Sequence, residues 1–298
     1  MTGDKFIEEE REGARLVIVP TPIGNLEDIT LRALRCLKEA DYIACEDTRH
    51  TGRLLDHFEI RKPLISYHDH NEKSRAQEIV DLLVSGKRVC LVSDAGMPAI
   101  SDPGRELILR AQACQIPYTV LPGPSAMVTA YVASALGDGK FSFYGFLDRK
   151  GKGREELLSI IDQSELSSVV YEAPHRIRKT LREFLLRWPK RNFSVCRELT
   201  KLYEDVQVFL GMDLEVENFP EKGEYVIIIG PADKQREKWS KEQVMDRLFV
   251  LQSEKVSSKE LLQILSEESG WRKNELYPLH LEAKVGAAGN QSENQGEK

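Results

Sequence analysis

No apolar run in the 298-residue chain approaches the ~18 residues that a membrane-spanning helix needs. The opening segment, MTGDKFIEEEREGAR, is charged throughout and holds no apolar core of the secretion-signal type, so a cytoplasmic location is expected. No C-x-x-C pair occurs among the five cysteines, Cys36, Cys45, Cys90, Cys114 and Cys196, and most sit in apolar runs as free thiols of a reducing compartment do. An excess of positive charge is also missing. At a formal net charge of -6, any polyanionic partner has to meet a local basic patch rather than a global field. The two commonest nucleotide signatures are absent: no G-x-G-x-x-G follows the first apolar run, and no G-x-x-x-x-G-K-[ST] occurs anywhere, which disfavours NAD and ATP. There is no internal repeat.

What is present is a rhythm. From Leu16, short apolar runs alternate with helical segments: LVIVP, DYIAC, PLISY, RVCLVS and YTVLPG each precede a stretch with apolar residues three or four apart. This predicts an α/β fold with a parallel sheet in an N-terminal domain over 15–137, behind a flexible N-terminus at 1–14. From FSFYGFL onward the strands have fewer intervening helices, predicting a second, mixed-sheet α/β domain over 138–231. Residues 238–284 predict a charged helical extension whose last two helices, hinged at Gly270, form a helix-turn-helix. A disordered tail is expected at 285–298.

In parallel sheets, ligands bind at the carboxyl ends of the strands. The Gly, Pro, Asp and His residues collect there, in TPIGN, EDTRH, HDHN, DAGMPAISDPG and PGPSA. Such loops suit a folded, polar, uncharged-to-cationic small molecule, with Asp94, Ser101, Asp102 and Ser125 as side-chain partners. Asp102 lies just before Pro103 and Gly104 and is predicted to cap the following helix; Asp94 has no such structural excuse. His68, Asp69 and His70 invite a metal reading, but alternate residues of an extended YHDHN point to opposite faces and no third ligand at helical spacing follows, so no metal is expected.

The ordered blocks VPTPIGNLEDIT, EDTRHTGRLL, HDHNE, VSDAGMPAISDPG, LPGPSA, GFL with KGR, YEAPHR and RELTK resemble the bacterial ribosomal RNA small-subunit methyltransferase I family, from about Leu16 to Pro231. The resemblance implies a two-domain tetrapyrrole-methylase-like fold, S-adenosylmethionine as cofactor, and 2′-O-methylation of a cytidine ribose in small-subunit rRNA, free or within the small ribosomal subunit, by a homodimer. It places the donor against Pro22, Gly24, Asp94, Ala95, Gly96, Ser101, Gly123, Ser125 and Ala126, with Glu172 and Pro174 closing from the second domain. Met97 stands where the family pattern has a threonine.

Methyl transfer to a ribose hydroxyl needs in-line positioning and removal of a weakly acidic proton. His50 is the first choice as base, with Arg49 polarising the nucleophile or holding phosphate, and Glu46 or His68 as substitutes. His50, Arg53 and His57 fall on one helical face. The basic loop RKGKGR supplies the expected RNA contacts Arg149, Lys150, Lys152 and Arg154, with Arg53 opposite. Two other readings fit the same blocks: methylation of a small tetrapyrrole, and a ribosome-binding factor without turnover.

Overall fold

The structure, a computed structural model, describes Gly13 and residues 15–232, 239–253 and 256–293. Apart from Gly13, the segment predicted to be a flexible N-terminus lies outside these residues, as do the last five of the predicted tail. The chain forms two compact units, one through Ala232 and one from Asp233.

The first unit opens with five strands, β1 (Leu16–Val19), β2 (Tyr42–Cys45), β3 (Leu64–Ser66), β4 (Val89–Val92) and β5 (Tyr118–Val120). They form a parallel sheet in the order β3-β2-β4-β1-β5. β1 and β4 are buried along their whole length, as continuous apolar runs must be when helices cover both faces. Side chains alternate between those faces. Leu16 and Ile18 pack toward α3 (Glu72–Val84) and α4 (Arg105–Ala113), while Val17 and Val19 pack toward α1 (Leu31–Glu39) and α2 (Thr48–His57). Each such fully buried side chain contributes about 1.5–3 kcal/mol. The chain leaves β1 toward β2 on one side and β4 toward β5 on the other. That switch in direction opens a crevice at the carboxyl ends of β1 and β4.

The second lobe holds β6 (Phe141–Phe146), β7 (Ser167–Glu172), β8 (Asn192–Arg197), β9 (Asp205–Leu210) and β10 (Tyr225–Ile229), ordered β6-β7-β10-β8-β9. Only β6 and β7 run parallel, so the sheet is mixed as predicted. One face is covered by α6 (Lys152–Gln163) and α7 (Ile177–Arg187), around Leu158, Phe184 and Phe193. The other receives α5 (Ala126–Ser134), which follows β5 of the first sheet and buries Ala130 among Val169, Cys196, Val226 and Ile228. α5 thus follows the first sheet in sequence but packs on the second, and the two predicted domains fall within one compact unit.

The second unit is a three-helix cluster of α8 (Lys241–Ser253), α9 (Ser258–Ser269) and α10 (Lys273–Glu293), closed around Leu248, Leu261, Leu265 and Leu276. Ser257 caps α9, its Oγ accepting from the Glu260 amide at 3.3 Å. Gly270 ends α9 in the left-handed region at φ +71, where the predicted hinge lies. The predicted tail is corrected in part: the backbone of 285–293 continues α10, in line with the strong helix propensity of the alanines at 287 and 288. No helix among the described residues is long and apolar enough to cross a membrane.

Candidate functional site

Three loops meet at the carboxyl edge of the first sheet, and backbone chemistry locks them together. After β1, Thr21 and Gly96 exchange both of their amide hydrogen bonds at 3.0 Å. The Thr21 hydroxyl donates to the Ser93 carbonyl (3.0 Å) and the Ser93 hydroxyl to the Gly96 carbonyl (2.9 Å). Gly96 adopts φ +79, which favours glycine. The loop after β5 closes on the first: a Cβ at Gly123 would fall 2.8 Å from Cβ of Pro20. The second lobe approaches as closely. A Cβ at Gly24 would lie 2.4 Å from Lys201 Cγ and 2.9 Å from the Leu199 carbonyl.

Between the first two of these loops and the second lobe lies a cavity of about 370 Å³, while the loop after β5 borders a separate one with Ile23 and Thr200. The walls of the first cavity include Thr21, Pro22 and Gly24 from the first loop, Asp94 and Ala95 from the loop after β4, and His50 and Arg53 from α2. Lys201 and Glu224 complete it from the second lobe, joined by a 3.1 Å ion pair. Lys201 also donates to Glu198 at 2.9 Å. The turn that carries these groups is strained, with Glu198 at φ +52 and Thr200 at φ +66, a feature that gathers at functional sites. Lys201 and Glu224 are not among the predicted site residues; RELTK contains Lys201, and none of the family blocks contains Glu224.

The cavity is bordered by carboxylates. Asp47 caps α2 by accepting from the Arg49 amide (2.8 Å), while its own amide donates to Asp94 Oδ1 (3.2 Å). Hydrogen bonds from Arg49 hold the Asp47 carboxyl far below the usual range. Glu46 is shifted upward by burial, then by the charges of Asp94 and Asp69. Asp102 is pushed up to about 6 by burial, then by Glu46, Asp94 and Asp69.

The predicted cap role of Asp102 is corrected. Gly104, at φ +147, is the cap residue of α4 and makes no side-chain bond. The free amides of Gly104 and Glu106 donate instead to Glu72 Oε1, at 3.1 and 3.4 Å. Released from capping, Asp102 is a fourth acid of the cluster, and its raised pKa means that ionisation costs folding free energy. Stability should therefore fall as pH rises from about 4 to 6, where the folded chain keeps a proton that the unfolded chain releases. Asp102→Asn is expected to raise stability at pH 7.5 by about 1–3 kcal/mol and to flatten that slope. Urea titrations at pH 4.5 and 7.5 check it; an unchanged slope would remove Asp102 from the cluster.

The other predicted site residues divide. Arg49 lies outside the cavity wall, its side chain 86% exposed and paired with Asp47 at 2.9 Å. His57 sits at the far end of α2 with its ring edge-on to Phe58. Ser125 is the cap residue of α5, accepting Thr129 through its carbonyl, and Ala126 begins that helix. Ser101 lies apart from the cavity, near Gly145 of β6. Pro174 opens a short 3-10 turn after β7. Residues 68–71 form a turn closed by Asn71 N–H to the His68 carbonyl (2.9 Å), so the extended geometry assumed for YHDHN does not hold. Among the described residues no group of three or more His, Cys, Asp or Glu side chains is placed to hold a metal ion.

Glu172 and Arg154 are corrected. The Glu172 side chain is fully buried and accepts from Thr180 Oγ1 (2.6 Å), the Ala173 amide (2.7 Å) and Arg176 (2.5 Å). Its carboxylate is committed to the second lobe's own structure. Arg154 is 7% exposed, donating to Glu183 (2.6 Å) and the Asp148 carbonyl (2.7 Å). Its guanidinium is thus held by the fold, although the residue also lines the groove beside Arg149 and Lys150. RKGKGR is also only half a loop, because α6 starts at Lys152, which pairs with Glu156 at 3.3 Å. Arg149 and Lys150 are exposed and border a groove of about 620 Å³ with Lys179 and Arg187.

A parallel sheet followed by a mixed one, with a loop-built cavity at the carboxyl edge of the first, defines a tetrapyrrole-methylase-type protein. The profile of the tetrapyrrole (corrin/porphyrin) methylases matches residues 15–213. Solved structures with this fold include the methyltransferase CobJ, with a TM-score of 0.57 at 20% identity over 75% of this chain and 97% of that one. Another is the uroporphyrin-III C-methyltransferase of Thermus thermophilus complexed with S-adenosyl homocysteine, with a TM-score of 0.52 at 17% identity over 73% and 97%. Much nearer in sequence are proteins named ribosomal RNA small subunit methyltransferase I. That of Synechocystis sp. is 41% identical over 91% of this chain and 98% of its own. That of Halalkalibacterium halodurans is 40% identical over 94% and 99%. The chain belongs to the ribosomal RNA small subunit methyltransferase I branch of the tetrapyrrole methylase family.

Proposed function

We propose that the protein uses S-adenosylmethionine to methylate small-subunit rRNA, at the 2′-hydroxyl of a cytidine, with free rRNA or the small ribosomal subunit as substrate. The observation that carries this reading is the locked meeting of the loops after β1 and β4 around one cavity, with the loop after β5 closing on the first of them, in a chain whose near relatives are named as small-subunit rRNA methyltransferases. A cofactor of drug size fits a cavity of this volume. Its positive sulfonium suits a wall bearing the Asp94 and Glu224 carboxylates. Pro22, Gly24, Asp94, Ala95 and Gly96 would hold it, with Gly123, Ser125 and Ala126 behind them. When bound, the donor supplies an electrophilic methyl group.

The chain's own residues then have two tasks, orientation of the ribose and removal of its proton. His50, on the cavity wall, is proposed as the base, with Arg53 beside it for the developing negative charge or a phosphate. Glu46 and Asp102, both shifted upward, are the substitutes. His50→Ala is expected to lower kcat by roughly 10²–10⁴-fold; near-normal turnover at neutral pH would transfer the role to one of those acids. A homodimer is proposed as well. Val128 and Val132 on α5 and Leu202, Tyr203 and Val208 in and before the neighbouring β9 leave apolar side chains exposed, and a second copy would cover them.

The function is tested by labelled methyl transfer to small subunits from cells lacking this activity, followed by mapping of the labelled nucleotide. Label at one cytidine ribose is the expected result. Label on a tetrapyrrole only, or none, would overturn the reading.

A further inference from the structure

Phe146 is the outermost ring of an aromatic row. Along the inter-lobe face of the second sheet, Phe143 and Tyr171 meet edge to face at 4.9 Å, and Tyr171 meets Phe146 in the same way at 5.4 Å. Phe143 and Tyr171 belong to the core that α5 closes, whereas Phe146 is 58% exposed. The backbone is built to put it there. The pairing of β6 with β7 skips register between Phe143 and Phe146, and Gly145 takes φ +64 in that bulge. A bulge of this kind re-aims a side chain at the end of a strand. Without it, the alternation of the strand would send Phe146 to the face that Leu147 now occupies, inside the core under α6 and α7.

The ring's strand end stands near the loop after β4. A Cβ at Gly145, the preceding residue, would lie 3.9 Å from the hydroxyl of Ser101, next to Asp102. Tyr171, on which Phe146 rests, feels the charge of Asp102. On its other side the chain runs within four residues to Arg149 and Lys150, which line a groove with Lys179; none of these three cations has an ion-pair partner among the described residues, and the groove's two acids, Glu155 and Glu183, are paired with Arg187 and Arg154. An exposed aromatic face flanked by free cations is the combination that holds an unpaired nucleotide, since the ring stacks on any base while the cations take the adjoining phosphates. The adenine of the methyl donor is the other nucleobase present in the reaction. Phe146 does not line the donor cavity, which favours the RNA base.

Resting on the proposed rRNA methylation, we infer that Phe146 is a positioning residue on which the base of the target nucleotide stacks once it leaves its helix, with Arg149, Lys150 and Lys179 holding the flanking phosphates.

The test uses the full-length protein, saturating S-adenosylmethionine, and small subunits from cells lacking the modification. Phe146→Ala should lower kcat/KM for subunits by about tenfold or more, within the range of one lost base stack. Phe146→Trp should restore it. Donor affinity by calorimetry should stay within about twofold of the wild type, and the salt dependence of subunit binding should keep its slope, because stacking neutralises no phosphate. Phe146→Leu, which keeps apolar bulk but offers no π-face, should behave like the alanine variant and so separates stacking from folding. Equal kcat/KM for wild type and Phe146→Ala would overturn the inference, as would a leucine variant of full activity. A loss confined to donor affinity would assign the ring to adenine and overturn it too. Absence of any transfer by the wild type is a separate outcome, and it would overturn the proposed function beneath it.

Discussion

Glu172→Ala is expected to destabilise the first unit by about 3–5 kcal/mol, the range found when one partner of a buried ion pair is removed. The Glu172 carboxylate has no exposed surface, and Arg176, 16% exposed at its side chain, has it as ion-pair partner. Its loss would leave a largely buried guanidinium without compensating charge and deprive the Thr180 hydroxyl and the Ala173 amide of their acceptor. Arg176 Nε is already buried without a hydrogen-bond partner, so no second acceptor waits nearby. Urea unfolding of the variant measures the effect. Donor affinity of the protein that stays folded should change little, since the carboxylate faces inward. A variant of normal stability that had lost its donor would restore Glu172 to the cofactor site.

Gly24→Val should act on binding first and on stability next. Any side chain at this position meets Lys201 Cγ at 2.4 Å, Thr200 Oγ1 at 2.8 Å and the Leu199 carbonyl at 2.9 Å. These atoms give way poorly. Lys201 is tied to Glu198 and Glu224, and Thr200 is already held at a positive φ. The wall between the first loop and the β8–β9 turn must open, at about 1–3 kcal/mol of strain. Donor affinity should fall about tenfold or more, the equivalent of at least 1.4 kcal/mol. Unaltered affinity would show that the donor does not use this wall.

The five strands of the first sheet and the first of the second were legible as short apolar or alternating runs. The convergence of TPIGN, DAGMPAISDPG and PGPSA followed from one rule about parallel sheets, and the Thr21–Gly96 bridge is its realisation. The failures share a cause: local spacing does not reveal a distant partner. Asp102 had the spacing of a cap, but Glu72, thirty-two residues from Gly104, took the amides. Arg154 read as one of several loop cations until Glu183 and the Asp148 carbonyl claimed it. Glu172 came from a motif whose residues are all present, and only its burial and its bonds to Arg176 and Thr180 separate a structural carboxylate from a binding one. The exposure of Phe146 depends on a bulge that FSFYGFL does not announce.

A crystal structure of the protein with S-adenosylmethionine would decide whether the loop-built crevice is the donor site. Density for the donor should lie against Pro22, Gly24, Asp94 and Gly123, with its methyl group open to the His50 side of the crevice. Donor density anywhere else on the protein, with those loops empty, would contradict the site proposed here.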